Sequence, residues 1–146
     1  MKKLVLLVAV MVVAALAAAA LAAGGRQANI TVGTKLTAKQ EIPAQTVKDA
    51  KAAGSFTGTI VGSKLTYSLT FSGLTGPATA AHIHLGAVGK SGNVVVPICG
   101  PCKSPVKGSA TLSKALLADL KTHKLYVNVH TAKNPAGEIR GQLAEH

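Results

Sequence analysis

Chemistry in this chain gathers in a few histidines, one cysteine pair and one arginine. His82 and His84 lie in Ala81-His82-Ile83-His84-Leu85-Gly86, and side chains of an extended strand alternate between its faces. The two imidazoles therefore point the same way, about 6.6 Å apart, while Ala81, Ile83 and Leu85 point the other way. His130 ends a second alternating run, Leu125 to Thr131. There Leu125, Val127 and Val129 take one face and Tyr126, Asn128 and His130 the other. Three imidazoles on one non-core side form a donor set for zinc or copper at about 2.0 Å, provided that the two strands are neighbours. The competing reading is structural: imidazole N–H groups satisfy backbone carbonyls beneath a loop, with Tyr126, Asn128 and Glu138 in the same network. The structural reading is favoured, and under it no cofactor is expected; copper or zinc is the alternative.

Cys99-Gly100-Pro101-Cys102 has the spacing of a dithiol redox motif. That chemistry needs its first cysteine at a helix N-terminus, where the dipole lowers the thiol pKa. Here Ser104-Pro105 follows, and proline forbids the helix. Cys99 and Cys102 are expected to close a local disulfide, as suits an oxidising compartment. No Gly-x-Ser-x-Gly elbow is present, and five acids in the whole chain make a paired-carboxylate hydrolase a poor fit. The glycines from Gly86 to Gly92 lack the strand-to-helix context of a phosphate cradle, and a flexible connection is expected there.

These residues need a framework of strands. Alternation and turn residues predict strands over Ile30–Ala38, Gly54–Val61, Leu65–Ser72, Ala80–Leu85, Val94–Ile98, Val106–Leu112, Leu125–Thr131 and Glu138–Leu143. The clearest is Leu65–Ser72, where Leu65, Tyr67, Leu69 and Phe71 share one face. Val94–Ile98 lacks alternation and suits either a doubly buried strand or an edge at Pro97. One short helix is expected after Ser113, a good N-cap, with Leu116, Leu117 and Leu120 on one side. Gly137 serves the turn before the last strand. Where Glu138 and Arg140 share a strand face, an ion pair or a hydrogen-bond clamp is expected. The fold class is all-β, an antiparallel β-sandwich of immunoglobulin-like or Greek-key type with one short helix.

Composition bounds the setting. The 146 residues carry 16 Lys plus Arg against five Asp plus Glu, a net charge of +11. Such a surface attracts polyanions, so acidic cell-surface polymers are candidate partners, as is another extracellular protein. Nucleic acid is not expected, because aromatics are 3% with no Trp and the lysines are scattered. Met1-Lys2-Lys3 followed by an apolar run from Leu4 to Leu21 and Ala20-Leu21-Ala22 has the pattern of a signal peptide over residues 1–23. An uncleaved anchor is the alternative, and only then would the chain touch a membrane. Either way the folded part is expected outside the cytoplasm, secreted or in the cell envelope.

Longer motifs carry a family resemblance. Lys39-Gln40-Glu41-Ile42-Pro43, Ala80-Ala81-His82-Ile83-His84, Leu125-Tyr126-Val127-Asn128-Val129-His130-Thr131 and Asn134-Pro135-x-Gly137-Glu138-Ile139-Arg140-Gly141-Gln142-Leu143 resemble the chordin-type (CHRD) domain family, in a bacterial secreted member. The resemblance implies a secreted β-sandwich over residues 36–146, with 24–35 leading into it. It implies no activity: bacterial members are known mainly as domains of unknown function, and animal members sit in extracellular growth-factor antagonists. The His-x-His spacing is also similar to the way Cu,Zn superoxide dismutases present two copper ligands from a strand of a comparable sandwich. That likeness implies that Arg140, on the polar face of the last strand, would contact an anion near the metal, as an arginine does beside that copper; the chain has no bridging histidine and no zinc-loop set beside it. The sequence thus supports a non-catalytic binding or structural module first, and a copper- or zinc-binding, superoxide dismutase-like protein as the alternative.

Overall fold

The computed structural model describes residues 28–43 and 51–146. The leader assigned to 1–23 lies outside the described residues, and so do residues 44–50, before the second strand. Among the described residues nine strands and one α-helix follow in order: β1 (Ile30–Thr37), a 3-10 turn (Ala38–Gln40), β2 (Ala53–Val61), β3 (Lys64–Ser72), β4 (Ala78–Leu85), β5 (Val94–Cys99), β6 (Val106–Thr111), α1 (Lys114–Lys121), β7 (Leu125–Thr131), β8 (Ile139–Gln142) and β9 (Ala144–Glu145). The expected all-β antiparallel class is what the chain adopts. Its strands join edge to edge in one sheet of order β5-β4-β7-β8-β1-β2-β3-β6, with β9 also paired to β1. The edge strands β5 and β6 approach each other, so the two layers of the sandwich are halves of a nearly closed barrel.

Period-two alternation decides which residues fill the barrel. Ile60 faces Leu65 and Phe56 faces Leu69 across the β2–β3 hairpin, and all four are buried with Val32, Leu36, Ile83, Val127, Val129 and Ile139. The rings of Phe56 and Tyr67 stack with centroids 5.6 Å apart. Truncating a ring such as Phe56 to alanine in a core like this costs about 3–5 kcal/mol. The hairpin closes at Gly62, whose φ of 64° suits glycine. Pro97 lies on β5, which pairs with β4 alone, so the edge assignment for Val94–Ile98 is the one realised. Ser113 caps α1 by accepting a hydrogen bond from the Leu116 amide at 3.2 Å, and Leu120 is the helix residue buried in the core.

β7 differs from the other strands, because all seven of its residues are buried. Leu125, Val127 and Val129 face the core. Tyr126, Asn128 and His130 face outward, yet the chain covers them too. That outward face, continued onto β4 and β8, is roofed by the Gly86–Asn93 loop, the turn before β8 and Glu41.

Candidate metal centre

β4 and β7 are antiparallel neighbours, with Ala80 opposite His130, His82 opposite Asn128 and His84 opposite Tyr126. This register meets the condition the sequence left open. His82, His84 and His130 each offer one ring nitrogen, and these nitrogens all lie within 4.8 Å of one another. Ligand atoms held tetrahedrally at zinc's distance of about 2.0–2.1 Å stand roughly 3.3 Å apart, so small ring movements would close the set. Among the described residues the group contains imidazoles alone.

Two loops orient two of the rings. His84 Nδ1 lies 3.0 Å from the Gly92 carbonyl and His130 Nδ1 lies 3.0 Å from the Pro135 carbonyl. A carbonyl oxygen only accepts, so each Nδ1 carries the hydrogen and each Nε2 keeps its lone pair. Metal-binding histidines are commonly fixed in this way, one nitrogen donating to a carbonyl while the other faces the ion. His130 Nε2 is 3.1 Å from His82 Nδ1, which donates to it in this arrangement. His84 Nε2 is buried with no hydrogen-bond partner. Burial holds all three imidazoles below the usual histidine pKa. For His82 the neighbouring His84 adds to the depression. For His84 and His130 the backbone hydrogen bonds oppose it, and Arg140 and the other rings respectively reinforce it. The rings are therefore neutral near pH 7, the form that binds metal.

The roof is built by side chains of β7 and β8. Tyr126 stacks on His84 with centroids 4.9 Å apart and planes 10° from parallel. The Arg140 guanidinium lies 3.5 Å from the centre of the Tyr126 ring. Its Nη2 donates to the carbonyls of Lys90 at 2.9 Å and Ala87 at 3.3 Å. Arg140 was expected as an anion contact; the structure places it beneath the Gly86–Asn93 loop, against the Tyr126 ring that stacks on His84 and near enough for its charge to lower the His84 pKa. The same loop was expected to be a flexible connection. It is instead tied down by Arg140, by the Gly92 amide donating to Tyr126 Oη at 3.2 Å, and by Gln142 donating to the Gly86 carbonyl at 2.9 Å. Fixing this loop fixes the Gly92 carbonyl, and with it the His84 tautomer.

Glu138 does not join the histidines. Its fully buried carboxylate accepts from the Thr75 amide, the Thr75 and Thr131 hydroxyls and the Asn134 amide at 2.6–3.0 Å. Burial raises its pKa, but these hydrogen bonds outweigh it and leave the carboxyl below its usual range. Glu138 is thus a hydrogen-bond clamp, and it shapes the turn that presents Pro135 to His130. His123 and His146 stand apart from the three-histidine group.

Glu41 is a residue with no role assigned from the sequence beyond its place in the Lys39–Pro43 motif. It is buried and accepts a hydrogen bond from Asn128 Nδ2 at 2.8 Å. Burial pushes its pKa up to about 7, against the lowering effects of Arg140 and Asn128. Gly137, with φ of 136°, lets the carboxyl in: a Cβ there would stand 2.7 Å from Glu41 Oε1 and closer still to Asn128. The Gln40-Glu41-Ile42-Pro43 motif was the available signal, since an acid in an otherwise acid-poor chain needs a partner. Cys99 and Cys102 form the expected disulfide, and the chain continues from them into β6 rather than a helix.

Fold and site together define a small all-β domain whose outward histidine face is enclosed by its own loops. The chain belongs to the CHRD domain family, whose model matches residues 32–143. That span takes in the three histidines, the cysteine pair, Glu41 and Arg140. No curated protein and no solved structure matches the chain significantly.

Proposed function

We propose that this CHRD domain is a non-catalytic module that binds one zinc or copper ion through His82, His84 and His130. The observation that carries the proposal is the buried, unpartnered Nε2 of His84 within a group of three imidazoles, two of them oriented by loop carbonyls. An orphaned buried acceptor costs about 1–3 kcal/mol, and a metal ion would relieve that cost. The neutral state of the rings and their carbonyl partners support the same reading. The leader pattern and the disulfide support a setting outside the cytoplasm. Metal analysis of protein purified without a histidine tag tests the proposal: close to one zinc or copper per chain is expected, lost in His82→Ala with His130→Ala. Metal at background level after dialysis against zinc or copper, or equal binding by the double variant, refutes it.

A second observation favours binding to acidic cell-surface polymers. Lys35, Lys64 and Lys107 stand exposed on the outward face of β1, β3 and β6, among threonines and serines, and none of β1, β2, β3 and β6 contains an acidic residue. Retention on an acidic polysaccharide should fall steeply with salt. Salt-independent retention would exclude the electrostatic mechanism.

A further inference from the structure

The described part of the centre holds a second unexplained acceptor. Asn128 is 2% exposed, and its Oδ1 has no hydrogen-bond partner. Nδ2, at the other end of the same planar amide, is committed to Glu41 at 2.8 Å. Asn128 stands opposite His82 in the β4–β7 register and between Tyr126 and His130 on the outward face of β7. The orphaned oxygen therefore belongs to the same enclosed face as the orphaned His84 Nε2. Oδ1 accepts and cannot donate, so a group carrying a hydrogen satisfies it, as would a metal ion held directly by this oxygen.

Three neutral imidazoles leave the charge of a bound dication uncompensated and one tetrahedral position unfilled. Zinc sites with three protein ligands keep that position for water or another small ligand, whereas purely structural sites close it with a fourth side chain. His82 is the least buried of the three rings and gives that position a route to solvent. Resting on the metal-binding reading, we propose that a small protic ligand, water in the resting state, fills the fourth position and donates to Asn128 Oδ1, and that small anions can displace it. The centre is then of the open, ligand-exchanging kind. Asn128 is a positioning residue that favours protic ligands over aprotic ones.

Cobalt(II) is the probe, because its visible bands report coordination number and ligand exchange. The full chain loaded with cobalt(II) is titrated with azide, an anion with no hydrogen to give Asn128. Azide should change the visible bands of the wild type. In Asn128→Ala the competing water loses its acceptor, so azide should bind roughly tenfold more tightly, as one lost hydrogen bond implies, while cobalt(II) affinity is kept. A wild-type spectrum unchanged by azide, as four protein ligands would give, overturns the proposal without touching the metal-binding reading. Equal azide affinity in wild type and variant overturns the role of Asn128. Weakened cobalt(II) binding with unchanged azide affinity does the same, because it marks Asn128 as a support for the His82 ring. Failure of the wild type to bind cobalt(II) at all removes both readings together.

Discussion

Replacing Glu41 by glutamine keeps the shape of the side chain and an oxygen for Asn128 Nδ2, and removes the titration. The carboxyl pKa rises from 4.5 to about 7 on folding, chiefly through burial. The folded protein therefore holds this proton more tightly than the unfolded chain does. The stability it contributes is complete below pH 4.5 and is lost as pH rises through 7. A difference of about 2.5 pKa units corresponds to roughly 3 kcal/mol between pH 4 and pH 8. The glutamine variant has no such loss. Relative to wild type, it should gain about 3 kcal/mol over that interval, whatever constant offset the substitution carries. The three histidines slope the other way: their depressed pKa values contribute stability present above about pH 6.5 and lost as pH falls through the folded values. They titrate in both proteins, so they cancel in the difference. Urea unfolding at half-unit steps from pH 4 to pH 8, under metal-free conditions, measures it. A wild-type-minus-variant difference that stays flat within about 1 kcal/mol would refute the assignment of Glu41 as a buried, proton-holding carboxyl.

Zinc affinity should be nearly constant from about pH 7 to 8 and fall only at acid pH, below the ordinary histidine value of 6.5, because protons compete for all three imidazoles there; calorimetric titration down the acid range checks it. Gly137→Ala forces a Cβ against Asn128 and the Glu41 carboxyl at a φ of 136°, and should cost about 2–4 kcal/mol in urea unfolding. Reducing Cys99–Cys102 opens a loop of only four residues, so it should cost no more than about 2 kcal/mol and leave zinc stoichiometry at one per chain.

Alternation in the sequence told which residues share a face, and it did so for His82, His84 and His130 because β4 and β7 are regular where those residues fall. It could not tell which strands are adjacent. β7 reaches β4 only after β5, β6 and α1 have intervened, and its pairing follows from how the sheet curls to enclose Phe56, Leu69, Ile83 and Val127. Pro97 and Ser113 were readable because a missing amide and an N-cap hydroxyl act locally. The roof was not. Glu41 meets Asn128 across 87 positions and Arg140 meets Lys90 across 50. Such contacts depend on loop paths that no short-range periodicity encodes. The Gly86–Asn93 loop suggested flexibility by its glycines, yet those glycines allow the close approach that Tyr126, Gln142 and Arg140 exploit.

The outward face of β7 presents a problem that the core side does not have. A sheet in a small antiparallel domain can leave one face in water at no cost, whereas this one covers Tyr126, Asn128 and His130 and leaves two acceptors, His84 Nε2 and Asn128 Oδ1, without partners. Each orphan costs about 1–3 kcal/mol, a large fraction of the stability of a domain this size. Among the described residues no donor is hydrogen-bonded to either atom, although the same face satisfies Glu138 four times over and ties the Arg140 guanidinium to two loop carbonyls. Among the described residues, hydrogen bonding is thus thorough wherever the loops are being held, and the two unpartnered side-chain atoms both fall on the histidine face. One occupant would account for both gaps: His84 would give its lone pair to a metal ion of the kind proposed, and Asn128 would accept a hydrogen from a protic ligand on that ion. A purely structural histidine face explains the carbonyl contacts of His84 and His130 but leaves both orphans unexplained, and that difference is why the metal-binding reading is preferred.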